Sequence, residues 1–217
     1  MKLTSTLLAT LALTCMLLVS TASAGTVQLT FQGAGGNVYG GVYAYPYYVT
    51  DGANTITVMC DDYATEVWGG LQWQANVNTV DLSDVSALKF SSRFASPADA
   101  LFAYEEAAVL ITDAKANPGN AANDNAAVWF LFTPNPPYSS GISDPGNLAG
   151  LIADAGAKVL GGGLDYSGIT IYTAVNPNDA QEFISGNVTP TPEPATFALF
   201  GAGLLGIGLF TRRMRRN

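Results

Sequence analysis

Ser96-Pro97-Ala98-Asp99-Ala100-Leu101-Phe102-Ala103-Tyr104-Glu105-Glu106-Ala107-Ala108 is where the chain changes its period. Ser96 offers an N-cap, Pro97 suits the first helical position, and Asp99 places a carboxylate at the third. Leu101, Tyr104, Ala108 and Ile111 recur at helical spacing until Asn117-Pro118-Gly119 stops the run. Upstream the period is two. Val27, Leu29 and Phe31 alternate over 26–32, a tyrosine-rich strand covers 38–50, and a β-branched one covers 55–60. After Gly69-Gly70, Trp73, Ala75, Val77 and Thr79 alternate over 71–80. Downstream, helices are predicted over 124–132 and from 144–145 to Gly161-Gly162-Gly163, then strands over 169–175 and 181–184. Strands first, helices inserted, strands last predicts an α+β class with a β-rich, sandwich- or barrel-like body.

Only 12 % of the 217 residues are charged, yet aromatics are plentiful, which fits a folded body and not a disordered one. The basic residues collect at the ends. Lys2 opens the chain and Arg212, Arg213, Arg215 and Arg216 close it. The stretch 25–187 holds four basic and sixteen acidic residues, a net charge near −12. Such a surface repels phosphate, so nucleic acid is not an expected partner. There is no histidine, which removes Ser-His-Asp and Cys-His nucleophiles and most transition-metal sites. No catalytic residue, cofactor or metal is expected.

The two ends read as sorting signals. Lys2, an apolar run over 7–19 and the small residues Ala22, Ala24 and Gly25 form a secretory signal peptide, 1–24, cut after Ala24. The ectodomain is then 25–187, and a linker with a sorting tail follows over 188–217. Cys15 leaves with the leader, so Cys60 is the one cysteine of the exported chain and has no intramolecular partner. Near the other end Pro192-Glu193-Pro194 precedes an apolar, glycine-rich run, a transmembrane helix over about 195–210. Its roughly 16 residues reach about 24 Å, a little short of a bilayer, which arginine snorkelling accommodates. Carrying four arginines through hydrocarbon would cost on the order of 10 kcal/mol, so they stay cytoplasmic and the body lies outside.

Pro192-Glu193-Pro194, the apolar run and the terminal arginines together resemble the PEP-CTERM sorting signal of Gram-negative bacteria. The resemblance implies recognition and cleavage by an exosortase, a membrane protease or transpeptidase. It also implies passage through the general secretion machinery and signal peptidase, a transient stay in the inner membrane, and delivery to the cell surface or exopolysaccharide matrix.

The segment Val58-Met59-Cys60-Asp61-Asp62-Tyr63, the Tyr104-Glu105-Glu106-Ala107-Ala108 helix and Ala127-Val128-Trp129 look like an ectodomain type found with such tails. More distantly they resemble thioester domains of Gram-positive adhesins, in which a cysteine is joined to a glutamine four residues before such a tryptophan. The matching positions here are Cys60 and Asn125. Asparagine departs from that pattern, and the alternative is a buried thiol packed as a small hydrophobe.

Asp61, Asp62 and Glu66 lack the spacing of a calcium loop and are expected to form a solvated acidic turn. Glu105 and Glu106 splay apart on a helix and are expected at the surface. The tyrosines of 39–48, with Trp68 and Trp73, offer a sugar-stacking surface or sheet packing. The expected function is therefore a non-enzymatic surface or matrix protein, associated with exopolysaccharide or biofilm. The alternatives are a covalent adhesin using Cys60 and a secreted carbohydrate-active enzyme.

Overall fold

The computed structural model describes residues 25–80, 85–133 and 145–191. The first half is β1 (Thr26–Ala34), β2 (Val38–Tyr39), β3 (Val42–Tyr43), β4 (Tyr47–Thr50), β5 (Thr55–Cys60) and β6 (Gln72–Thr79). Two 3₁₀ turns, Val85–Ala87 and Ser91–Arg93, lead to α1 (Pro97–Ala116), α2 (Ala121–Phe132) and α3 (Pro145–Gly161). The chain finishes with β7 (Leu164–Asp165), β8 (Ile169–Ala174), β9 (Phe183–Gly186) and β10 (Thr189–Pro190).

Six strands close an antiparallel barrel in the order β1-β4-β5-β9-β8-β6. The α+β expectation holds, and of the two β architectures the chain adopts the barrel. Closure removes the sheet edges that an exported protein would otherwise expose. Leu29 and Phe31 face inward from β1, as their alternation predicts. Phe183 lies at the centre of the interior, with the rings of Phe31, Tyr47 and Trp73 at 6.3, 6.0 and 6.0 Å. Trp73 is thus a core residue and not part of a sugar-stacking surface.

The stretch 38–50 is not one strand. Gly40 and Gly41, both at positive φ, turn a two-residue hairpin between β2 and β3. A cis Tyr45-Pro46 bond precedes β4. A register shift between Phe31 and Gly33, with Gly33 at φ 140°, bends β1 where it meets β4.

Ser96 caps α1 as the sequence predicts. Its Oγ accepts from the Asp99 amide at 3.2 Å and donates to the Asp99 carboxylate at 2.8 Å. The helix is buried on most sides because α2, α3 and β9 pack around it. α2 begins at Ala121, three residues before its predicted start.

The residues read as the start of a linker are tied to the body. β10 pairs with β7, the Val188 amide donates to Thr112 Oγ1 at 2.9 Å, and the Thr191 amide donates to the Gly163 carbonyl at 2.8 Å. At the other end β1 starts one residue after Gly25, whose carbonyl accepts from Val77 at 2.9 Å. Ala22, Ala24, Pro192, Glu193, Pro194 and the four arginines lie outside the described residues, as do the leader and the apolar run. Among the described residues no helix is long and apolar enough to cross a membrane.

Candidate functional site

One wall of the barrel opens into a cleft of about 920 Å³. The β1 bend at Gly33 and the β2–β3 hairpin form one side, the loop 63–69 forms the other, and the end of α2 closes the floor. Aromatic side chains line it: Phe31, Tyr43, Tyr47, Tyr63, Trp68 and Trp129. Trp68 and Tyr43 stand at the rim, each 62 % exposed. On the floor the rings of Tyr63 and Trp129 meet edge to face at 5.4 Å. Tyr47 is fixed because its hydroxyl donates to the Tyr43 carbonyl.

The polar groups of this wall are few. Glu66 is the one charged side chain among the described residues that line the cleft, accompanied by Thr65, Thr133 and Gln181. Gln181 is held by a bond from its Nε2 to the Asp62 carbonyl at 3.0 Å. A shallow aromatic trough with scattered hydrogen-bonding groups suits an amphipathic ligand with flat C–H faces and hydroxyl edges.

Cys60 and Asn125 do come together, but through the cysteine backbone. Asn125 Nδ2 donates to the Cys60 carbonyl at 2.7 Å, and its Oδ1 accepts from the Tyr45 amide at 2.7 Å. Both ends of the amide are thereby engaged in holding α2 against β5 and the approach to β4. The Cys60 thiol is free and buried at the end of β5, and its sulfur lies 3.2 Å from the Asp62 carbonyl. Burial, and then the neighbouring Asp62 carboxylate, push the thiol well above its usual range, while the Trp129 indole opposes them. A thiol so held is a poor nucleophile.

Asp61 and Asp62 are not a solvated turn; both are buried, and only Glu66 of that group is exposed. The reason is that both directly follow β5 into the barrel base, where Asp62 is fully bonded while neither Asp61 oxygen accepts a hydrogen bond. Asp62 takes an ion pair from Lys89, whose ammonium also bonds Thr65 Oγ1 at 2.9 Å and the Pro177 carbonyl at 2.5 Å. The other Asp62 oxygen accepts the Ala64 and Thr65 amides at 3.1 and 3.2 Å.

Asp61 faces Glu182, a residue the sequence reading did not single out. Glu182 is buried and accepts from Tyr104 Oη at 2.5 Å, from the Lys89 amide at 2.9 Å and from Thr173 Oγ1. Burial and the Glu182 charge push the Asp61 carboxyl well above the usual range. Glu182 already accepts three donors whereas neither Asp61 oxygen accepts one, so of the two it is Asp61 that the surroundings favour in its protonated form. The strand predicted over 181–184 runs instead from Phe183 to Gly186, so Glu182 stands just before β9; the signal that points to it is an acidic residue beside a short apolar run.

Glu106 is also a correction, being buried and not at the surface. It lies where α3 crosses α1, so close that a Cβ on Gly156 would sit 2.6 Å from its Oε1. Burial pushes its carboxyl up to about 7. Asp124 is pushed to about 6, by burial and then by Asp113. Both groups bind protons more tightly when folded, so their contribution is complete below about pH 4 and erodes as pH rises towards 7. Melting temperature is therefore expected to fall between pH 5 and pH 8. Glu106→Gln should flatten that slope and raise stability at pH 8 by on the order of 2 kcal/mol. A melting curve series with equal slopes for parent and variant would contradict this.

No curated protein sequence and no solved structure matches the chain. Residues 190–216, beginning at the β10 proline on the surface of the body, match the PEP-CTERM protein-sorting motif. That span contains Pro192, Glu193, Pro194, Arg212, Arg213, Arg215 and Arg216. The motif implies an exosortase-sorted, exported protein with a C-terminal membrane anchor before processing.

Proposed function

We propose that this exported protein is a non-enzymatic component of the cell surface or extracellular matrix, whose aromatic cleft binds exopolysaccharide. The observation that carries the reading is the cleft itself, with Tyr43 and Trp68 exposed at its rim and Tyr63 and Trp129 beneath them. Exposed aromatic rings grouped in one cleft mark a ligand surface, and sugar rings stack on such faces. Binding without turnover is supported by the acid–base inventory. Glycoside hydrolysis uses two carboxyl groups across the bond, whereas Glu66 is the sole carboxylate among the described lining residues. The buried carboxyls of Asp61 and Glu182 face each other and not the cleft. In this reading general secretion and signal peptidase deliver the chain, the inner membrane holds it briefly, and the exosortase releases it to the matrix.

Trp68→Ala tests the reading. Affinity for the polysaccharide of the producing cells, measured by sedimentation or calorimetry, should fall about tenfold. The melting temperature should move by no more than about 1 °C, because the ring is mostly exposed. Undiminished binding by the variant would exclude the cleft as the binding surface.

A further inference from the structure

We infer that the cleft selects polysaccharide carrying free amino groups over polysaccharide carrying uronic acids, with Glu66 as the selecting residue. This rests on the carbohydrate reading above and adds to it the charge of the ligand.

The described lining residues include one carboxylate and no lysine or arginine. Glu66 lies on the 63–69 loop two positions before the rim residue Trp68, and it is exposed. A chain stacked on Trp68 therefore passes beside a negative charge with no positive group in the cleft. Two cations lie near it: Lys89 is committed to Asp62, Thr65 and Pro177 behind the loop, and Arg93, at the far end beside Thr133, to the Phe132 carbonyl, Thr133 Oγ1 and the face of Phe90. A uronate would have to enter this site, on a body carrying sixteen acidic and four basic residues, without a counter-ion. A protonated amine meets the opposite situation: stacking holds the ring, and Glu66 accepts from the ammonium. Neutral chains are left with stacking alone. The ranking follows as amine-bearing, then neutral or N-acetylated, then uronate-bearing.

The experiment uses the exported chain without its leader and tail, together with short oligosaccharides, so that one cleft meets one ligand. The probes are glucosamine oligomers, the same oligomers N-acetylated, and mannuronate oligomers of equal length. At low salt the glucosamine oligomers should bind about three- to fivefold tighter than the acetylated ones, the range of an exposed ion pair. Mannuronate should show no binding. Added salt should shrink the preference, as for any exposed charge contact. Glu66→Gln should bring the first two affinities together and leave the acetylated oligomers unchanged.

Asp154→Asn is the control, since it removes the same charge from an exposed position on α3 outside the cleft. If it erases the preference as fully as Glu66→Gln, the overall charge is responsible and the inference is overturned. Equal binding of amine-bearing and acetylated oligomers to the parent overturns it too, while the carbohydrate reading stands. Binding of none of the oligomers by the parent removes the carbohydrate reading itself.

Discussion

Replacing Glu182 by alanine is expected to destabilise the body by on the order of 3–5 kcal/mol, lowering its melting temperature by about 10 °C. Glu182 sits in the core where β5 ends and β9 begins, and the Asp61 amide donates to its backbone carbonyl at 3.3 Å. Its carboxylate receives Tyr104 from α1, Thr173 from β8 and the Lys89 amide from the segment joining barrel to helices. Alanine leaves two hydroxyls and an N–H unpaired away from water and strands the Asp61 proton. Glu182→Gln keeps an acceptor but offers one oxygen where two carboxylate oxygens are now used, so its loss should be intermediate. Asp61→Asn should be tolerated, because an amide can still donate to Glu182 and loses no charge that the folded state uses. Urea unfolding with an unchanged slope against denaturant would measure all three. If Glu182→Ala falls within about 1 kcal/mol of the parent, the buried network is not what joins barrel to helices.

The second large effect is expected at Asn125. Alanine there removes the bonds to the Cys60 carbonyl and the Tyr45 amide, leaving two buried backbone groups unpaired, a loss of about 2–4 kcal/mol. Asn125→Asp should be worse. It puts an acceptor against the Cys60 carbonyl and a charge into the core, unless the carboxyl stays protonated. Its deficit should therefore shrink towards pH 4, whereas that of alanine should not. The same proteins report on the thiol. With the amide holding the backbone, the parent should show its full mass and a Cys60 thiol that alkylates once unfolded. A shortfall of about 17 Da, abolished by Asn125→Ala, would instead reveal a cross-link between the two.

What could be read from the sequence was local. Ser96, Pro97 and Asp99 specify the start of α1 through contacts three residues apart, and the alternation of Val27, Leu29 and Phe31 places β1 against a core. The candidate site was legible in its materials, since Tyr43 and Trp68 are both tyrosine- or tryptophan-rich landmarks, but not in its selection. Trp73 and Trp68 look alike in the sequence. One is inside the barrel and the other at its rim because β6 pairs with both β1 and β8, while 61–70 bears no strand.

The carboxylates were read least well, for the same reason. Asp61 and Glu182 are far apart in the chain and become neighbours only through the β5–β9 register. Glu106 looked like a surface residue because α1 is apolar nearly all round, so its period marks no polar face, and α3 covers the position. The spacing of Asn125 from Trp129 suggests a partner for the Cys60 sulfur, whereas its amide is taken up by the Cys60 carbonyl and the Tyr45 amide, a backbone tie that spacing does not reveal.

The bond from Thr191 to Gly163 has a bearing on how the chain leaves the cell. It clamps the polypeptide to the globule immediately before Pro192. The span that matches the sorting motif begins at residue 190, inside β10, so the export signal and the folded body share residues with no free spacer between them. A pull on the tail would load the β7–β10 pairing directly.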